Sequence, residues 1–189
     1  MARGTFQLGP IDTTVVAGDR ILLTGANGSG KTTLVRALLG QQRLDTGTQR
    51  LGPSVKIGEL RQARDIFSGS EWLLPAFVAA VGGDDHNARG QLAKLGLDTE
   101  RIHRRTSELS PGEQTRAALG VFAALGSNLL ILDEPTNHLD LPAIEQLESA
   151  LRDYPHTVLL VTHDRRLIEN VETNQRWHLE AGQLVASET

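Results

Sequence analysis

A chain of 189 residues is the size of one domain and long enough to enclose a core of its own. Its 39% hydrophobic and 22% charged residues belong to an ordinary globular protein, and a net charge of −4 leaves nucleic-acid contact only to a local patch. The absence of cysteine excludes disulfides, thiolate chemistry and cysteine-bound metal; the opening MARGTFQLGP has no signal-peptide core and no apolar run nears the ~20 residues of a membrane span, so a cytoplasmic protein is expected.

In chain order, Thr5–Leu8 and Thr13–Val16 alternate loosely and suggest short antiparallel strands, and Arg20–Thr24 is a compact apolar strand. A glycine loop follows, then a helix from Lys31 to about Gly40, and Val55–Leu60 forms the next strand. From Ala63 to Glu108 the texture becomes helical. Trp72, Leu73, Phe77 and Val81 recur at helical spacing, as do Leu92 and Leu95, with Gly82, Gly83 and Gly96 as punctuation. Together with a helix opening at Ser110 and running to about Leu125, this makes a helical subdomain of about residues 63–127, inserted in a single domain of residues 1–189. The sheet resumes at Asn128–Asp133. A helix begins near Pro142 with Ile144, Leu147 and Leu151 on one face, His156–Thr162 is a buried strand, and another helix reaches about Glu169. Gln175–Glu180 and Gln183–Ala186 flank Ala181-Gly182 as a closing hairpin. The alternation predicts an α/β fold: a mainly parallel sheet flanked by helices, with an antiparallel edge. Trp72 and Trp177 read as core residues.

Three motifs carry chemistry. Gly25-Ala26-Asn27-Gly28-Ser29-Gly30-Lys31-Thr32 matches the P-loop pattern in full, between a predicted strand and a predicted helix. Its glycines let backbone N–H groups curl around phosphate oxygens, and the helix N-terminus adds its positive end. Lys31 is placed to reach the β- and γ-phosphates and the Thr32 hydroxyl to ligate Mg²⁺, and Thr33 beside it is counted with the nucleotide-binding residues of the loop. Leu129–Leu132 is an apolar strand that delivers Asp133 and Glu134 at its C-terminal end, the edge where ligand chemistry sits in α/β sheets. Asp133 suits Mg²⁺, and Glu134, on the other side, suits polarisation of the attacking water. Leu109-Ser110-Pro111-Gly112-Glu113-Gln114 forms a capping box, with Ser110 as N-cap, Pro111 at N1 and Glu113 at N3. A capped helix end of this kind is also an anion site. One ATP cannot easily use two such ends, which hints that the second serves a nucleotide held by a partner.

The order P-loop, Gln62, LSPGEQ, LILDEPTNHLD and THDR resembles ATP-binding cassette (ABC) ATPases across essentially the whole chain. The resemblance implies a P-loop NTPase cassette that binds ATP and Mg²⁺ and hydrolyses ATP in a head-to-tail pair of cassettes. It makes Gln62 the Q-loop glutamine that senses Mg²⁺ and the attacking water, and Ser110 and Gly112 the signature residues completing the partner's site. Asp140 becomes the D-loop aspartate at the dimer seam and His163 the switch histidine at the γ-phosphate. Asp133–Asp140 with Thr162-His163-Asp164-Arg165 is closer still to the ABC-F branch: soluble twin-cassette ATPases that bind ribosomes at the tRNA exit site, some of which protect ribosomes from antibiotics. Members carry a helical arm in the first cassette and a charged linker, for which this sequence leaves little room; it resembles a second cassette, excised or as a fragment.

Two features depart from the common pattern. Pro111 stands where most ABC proteins have Gly, although Pro suits N1 and the helix end is expected to survive. Phe6 is the only aromatic upstream of the P-loop and is open to either base stacking or core packing. Arg101-Ile102-His103-Arg104-Arg105 is the one dense basic cluster; it could touch ribosomal RNA phosphates, but such runs are more often a solvated face. His86, His103, His156 and His178 show no ligand-like spacing. The alternatives to a ribosome-associated factor are the ATPase subunit of a membrane transporter, docking near Gln62, and a nucleotide-binding module with little hydrolysis, against which the Asp133-Glu134 pair argues.

Overall fold

The run Arg20–Thr24 forms β1 near the middle of a six-stranded sheet, and its Ile21, Leu22 and Leu23 are all buried. A parallel strand covered on both faces needs such a continuous apolar run. The computed structural model describes residues 7–60, 65–137 and 139–188, the last three as backbone only. The other strands are β2 (Ile57–Glu59), β3 (Leu129–Asp133), β4 (Thr157–Val161), β5 (Gln175–Glu180) and β6 (Gln183–Glu188). Their order is β2-β3-β4-β1-β5-β6, with every pair parallel except β5–β6. Ala181 and Gly182 both have positive φ, 47° and 78°, as a two-residue hairpin loop requires.

Helices α1 (Lys31–Leu38), α2 (Leu73–Val81), α3 (Asp85–Lys94), α4 (Pro111–Leu125), α5 (Leu141–Asp153) and α6 (Arg165–Asn170) pack on the two faces. Alternation along β1 divides the core. Ile21 and Leu23 join Leu34, Val35 and Trp177 under α1, whereas Leu22 joins Leu147, Leu151 and Leu167 on the opposite face. That second cluster continues through Val121 and Phe122 of α4 into Phe67, Phe77 and Leu92. The helices between β2 and β3 therefore share a core with the sheet. Among the described residues no helix is long and apolar enough to cross a membrane.

Two expectations are corrected. Thr13–Val16 is not a strand and neither are residues 7–8, while Thr5 and Phe6 lie outside the described residues. Residues 13–16 lead into a turn in which Val16 N–H donates to the Asp19 carboxylate at 2.7 Å and Asp19 N–H to Val16 O at 3.1 Å. These local bonds replace a strand ladder, and among the described residues the antiparallel edge of the sheet is the β5–β6 pair. Trp72 is not core but 48% exposed. It is the extended N-cap of α2, off the helix's buried face, and its ring lies under the Arg105 guanidinium at 4.9 Å. Trp177 is fully buried, as expected.

The C-terminal end of α5 is tied to the start of β3 by the Tyr154 hydroxyl, which donates to Ser127 O at 2.6 Å. Burial pushes this phenol up from 10.0 to about 12. A proton held more tightly in the fold than in the unfolded chain stabilises fully below the unfolded value. Stability is then lost as pH rises from about 10 through about 12. Urea melts across that window should show the decline in the wild type. Tyr154→Phe should flatten it while losing about 1 kcal/mol near neutrality.

Candidate functional site

The loop between β1 and α1 curls because three of its glycines take left-handed backbone: φ is 148° at Gly25, 82° at Gly28 and 100° at Gly30. Gly25 has a second constraint, since a Cβ there would lie 2.4 Å from Leu179 O on β5. Gly30 is the N-cap of α1 and offers no side chain to its first N–H groups, so the helix end is open to an anion. Lys31 is buried and its Nζ donates to Gly25 O at 2.8 Å and Ala26 O at 3.1 Å. The buried Ser29 hydroxyl has no partner. A buried donor of this kind suits a phosphate oxygen. Asn27 and Gly28 are exposed at the loop's tip, and Thr33 is exposed on α1.

The sheet order brings β3 and β4 to the same edge as the loop. The Thr32 hydroxyl donates to Asp133 Oδ2 at 2.9 Å, so two hard oxygen ligands from α1 and β3 stand together, a fit to Mg²⁺. Glu134, the next residue, has φ 47° and donates its N–H to Val161 O at 2.8 Å. A non-glycine residue held in this region carries strain of about 1–3 kcal/mol, a feature that clusters at functional sites. The turn aims its carboxylate at His163: Glu134 Oε1 lies 2.9 Å from His163 Nδ1, and Oε2 is enclosed without a partner. His163 itself is exposed at the end of β4, just before α6, whose N-cap Asp164 accepts from Arg166 and Leu167 N–H.

Ser110 and Asp140 sit at two further helix ends. Ser110 caps α4, its hydroxyl accepting from Glu113 N–H at 3.2 Å while its own N–H donates to Glu113 Oε2 at 2.8 Å. Pro111 occupies N1 and the helix end is intact. Burial pushes the Glu113 carboxyl up, but the Ser110 N–H and the Arg101 guanidinium, 2.7 Å away, together hold it below its ordinary value. Asp140 caps α5 by accepting from Ala143 N–H at 3.0 Å. The hydrogen bonds of Ser110 and Asp140 stay within their own helix ends, whereas Lys31, Thr32, Asp133, Glu134 and His163 gather at the sheet edge. Gln62, His138 and Phe6 lie outside the described residues.

The basic cluster is internally paired. Arg101 bridges Asp98 and Glu113, Arg104 meets Glu100 at 2.6 Å, and Arg105 donates to Ser70 O at 2.7 Å while covering Trp72. This fits the solvated-face reading better than a phosphate patch. Sequence reasoning missed Gln114, whose amide donates to Phe67 O at 3.1 Å and so ties the signature helix to the segment before α2. Its place inside LSPGEQ was the available signal.

The family model described as ABC transporter matches residues 8–137. ATP-binding protein Uup of Caulobacter vibrioides is 38% identical over 169 residues, covering 86% of this chain and 28% of that protein. The energy-dependent translational throttle protein EttA of Escherichia coli K12 is 32% identical over 157 residues, covering 80% of this chain and 28% of that protein. The chain thus spans little more than a quarter of the length of these relatives. The dimeric ATP-binding cassette MJ0796, in a post-hydrolysis state bound to ADP and Pi, has the same fold: TM-score 0.71, 20% identity, 96% of this chain and 90% of that one.

Proposed function

The chain belongs to the ABC transporter family, and from that premise we propose that it works as one of two cassettes closing head-to-tail around two MgATP in a ribosome-associated ABC-F-type protein. It is an ABC-type ATPase cassette, most like those of the ABC-F proteins. The observation that carries the mechanistic part is the Glu134 carboxylate, one oxygen 2.9 Å from His163 and the other enclosed without a partner, on the residue that follows the Thr32-bonded Asp133. The ribosomal part rests on the DEPTNHLD string and on the likeness to a translational throttle protein.

In this reading the P-loop backbone, Ser29 and Lys31 hold the triphosphate. Thr32 and Asp133, with Gln62, hold Mg²⁺, which when bound neutralises charge on the β- and γ-phosphates. Glu134 orients the attacking water and accepts its proton; His163 fixes the carboxylate and faces the γ-phosphate. Lys31 stabilises the charge that develops as the terminal phosphoryl departs. Ser110, Gly112 and Asp140 act on the partner's nucleotide, so contacts to the γ-phosphate favour the closed pair and hydrolysis releases it.

The test is co-sedimentation of the full-length protein carrying this cassette, with Glu134→Gln and its counterpart in the second cassette, with and without ATP. ATP-dependent pelleting with ribosomes supports a translation factor or an antibiotic-protection ATPase. Normal ATP binding without pelleting overturns the ribosomal role and favours the energy-coupling subunit of a membrane transporter, which the family description also fits.

A further inference from the structure

Gly112 lies in the signature motif, where a glycine is expected to let a phosphate approach the backbone. Its immediate neighbour here is a different one. A Cβ built on Gly112 would lie 2.6 Å from Ala143 Cβ and 3.4 Å from Ala143 Cα. The first distance is too short for two methyl groups, and the second is an ordinary contact. The glycine is therefore already demanded by the crossing of α4 and α5, before any ligand is considered.

Ala143 belongs to the second capping system. Its N–H is the group that Asp140 accepts from, and it sits in the first turn of α5 just as Gly112 sits in the first turn of α4. One turn further along, Arg116 of α4 donates to Gln146 of α5. The two helix ends therefore touch at their first turns and are bridged again at the next. Close packing without a gap leaves neither end free to shift alone.

We propose that Ala143 is a positioning residue: seated against Gly112, it locks the Ser110 end of α4 to the Asp140 end of α5, so the two partner-facing ends engage a partner's nucleotide as one unit. This inference rests on the two-cassette reading above. It assigns the signature glycine a packing duty, and it makes the methyl group at this crossing interchangeable between helices.

The test is a reciprocal exchange in the full-length protein carrying this cassette, comparing Gly112→Ala, Ala143→Gly and the double variant. MgATP turnover is measured alongside ADP affinity and thermal melting. Gly112→Ala is expected to lower kcat about tenfold or more, and Ala143→Gly about two- to fivefold, with KM for ATP and ADP affinity changed less than about twofold. The double variant moves the methyl group from α5 to α4 and should recover to within about threefold of wild-type kcat, a strongly non-additive pair. A merely destabilised fold would shift binding and melting together with kcat. If Gly112→Ala fails to fold, the double variant is still expected to fold and turn over. The proposal is overturned by a double variant no faster than Gly112→Ala, the result expected if bare backbone is needed for the phosphate. It is also overturned by a Gly112→Ala enzyme as fast as wild type. A wild-type protein without ATP turnover sinks the functional reading itself, a separate outcome.

Discussion

Lys31→Ala is expected to abolish nucleotide binding, weakening ATP affinity by about a hundredfold or more. Lys31 is held in the loop by two backbone carbonyls, Gly25 O and Ala26 O, so its ammonium is fixed at the centre of the glycine curl instead of swinging in solvent. A charge-assisted bond from such a group contributes about 1.5–3 kcal/mol, and loss of the charge also removes the attraction that gathers a triphosphate. The helix end of α1, with no side-chain cap, remains and supplies only the weaker dipolar part. Titration with a fluorescent ATP analogue reads the effect directly, and circular dichroism checks that the loop change leaves the fold in place. An unaltered affinity in a folded variant would refute the phosphate-binding role of the loop.

Glu134→Gln is expected to separate binding from turnover. The amide keeps the size and the ability to meet His163, but it cannot accept a proton from water. General-base loss lowers kcat by about 10²–10⁴. The P-loop contacts are untouched, so ATP affinity should hold, and the paired cassettes should accumulate in the closed state on gel filtration with ATP. Turnover equal to wild type would remove Glu134 from the chemistry, and loss of ATP binding would assign it to the nucleotide pocket instead.

The strongest of these assignments are local in sequence. The P-loop could be placed because glycines, a lysine and a hydroxyl at fixed offsets between a strand and a helix leave little else for the chain to do. The capping box at Ser110 and Glu113 is equally local, and the structure has both of its bonds. Thr13–Val16 misled because alternation alone cannot tell a strand from an extended segment. Whether a ladder forms depends on a partner edge supplied by distant chain. Trp72 misled for a related reason: helical spacing was counted from a residue that lies one position before the helix begins.

Motif order and spacing thus carried the family and the α/β class, because a run of a dozen residues fixes which backbone groups can curl and which side chains fall at a strand's end. Only the tertiary structure could decide that Thr32 meets Asp133 across 101 residues, that Glu134 turns toward His163, and that Gly112 lies against Ala143. Those contacts depend on strand order and on the crossing of two helices, and such long-range packing is set by the shape of the whole core, not by any local propensity.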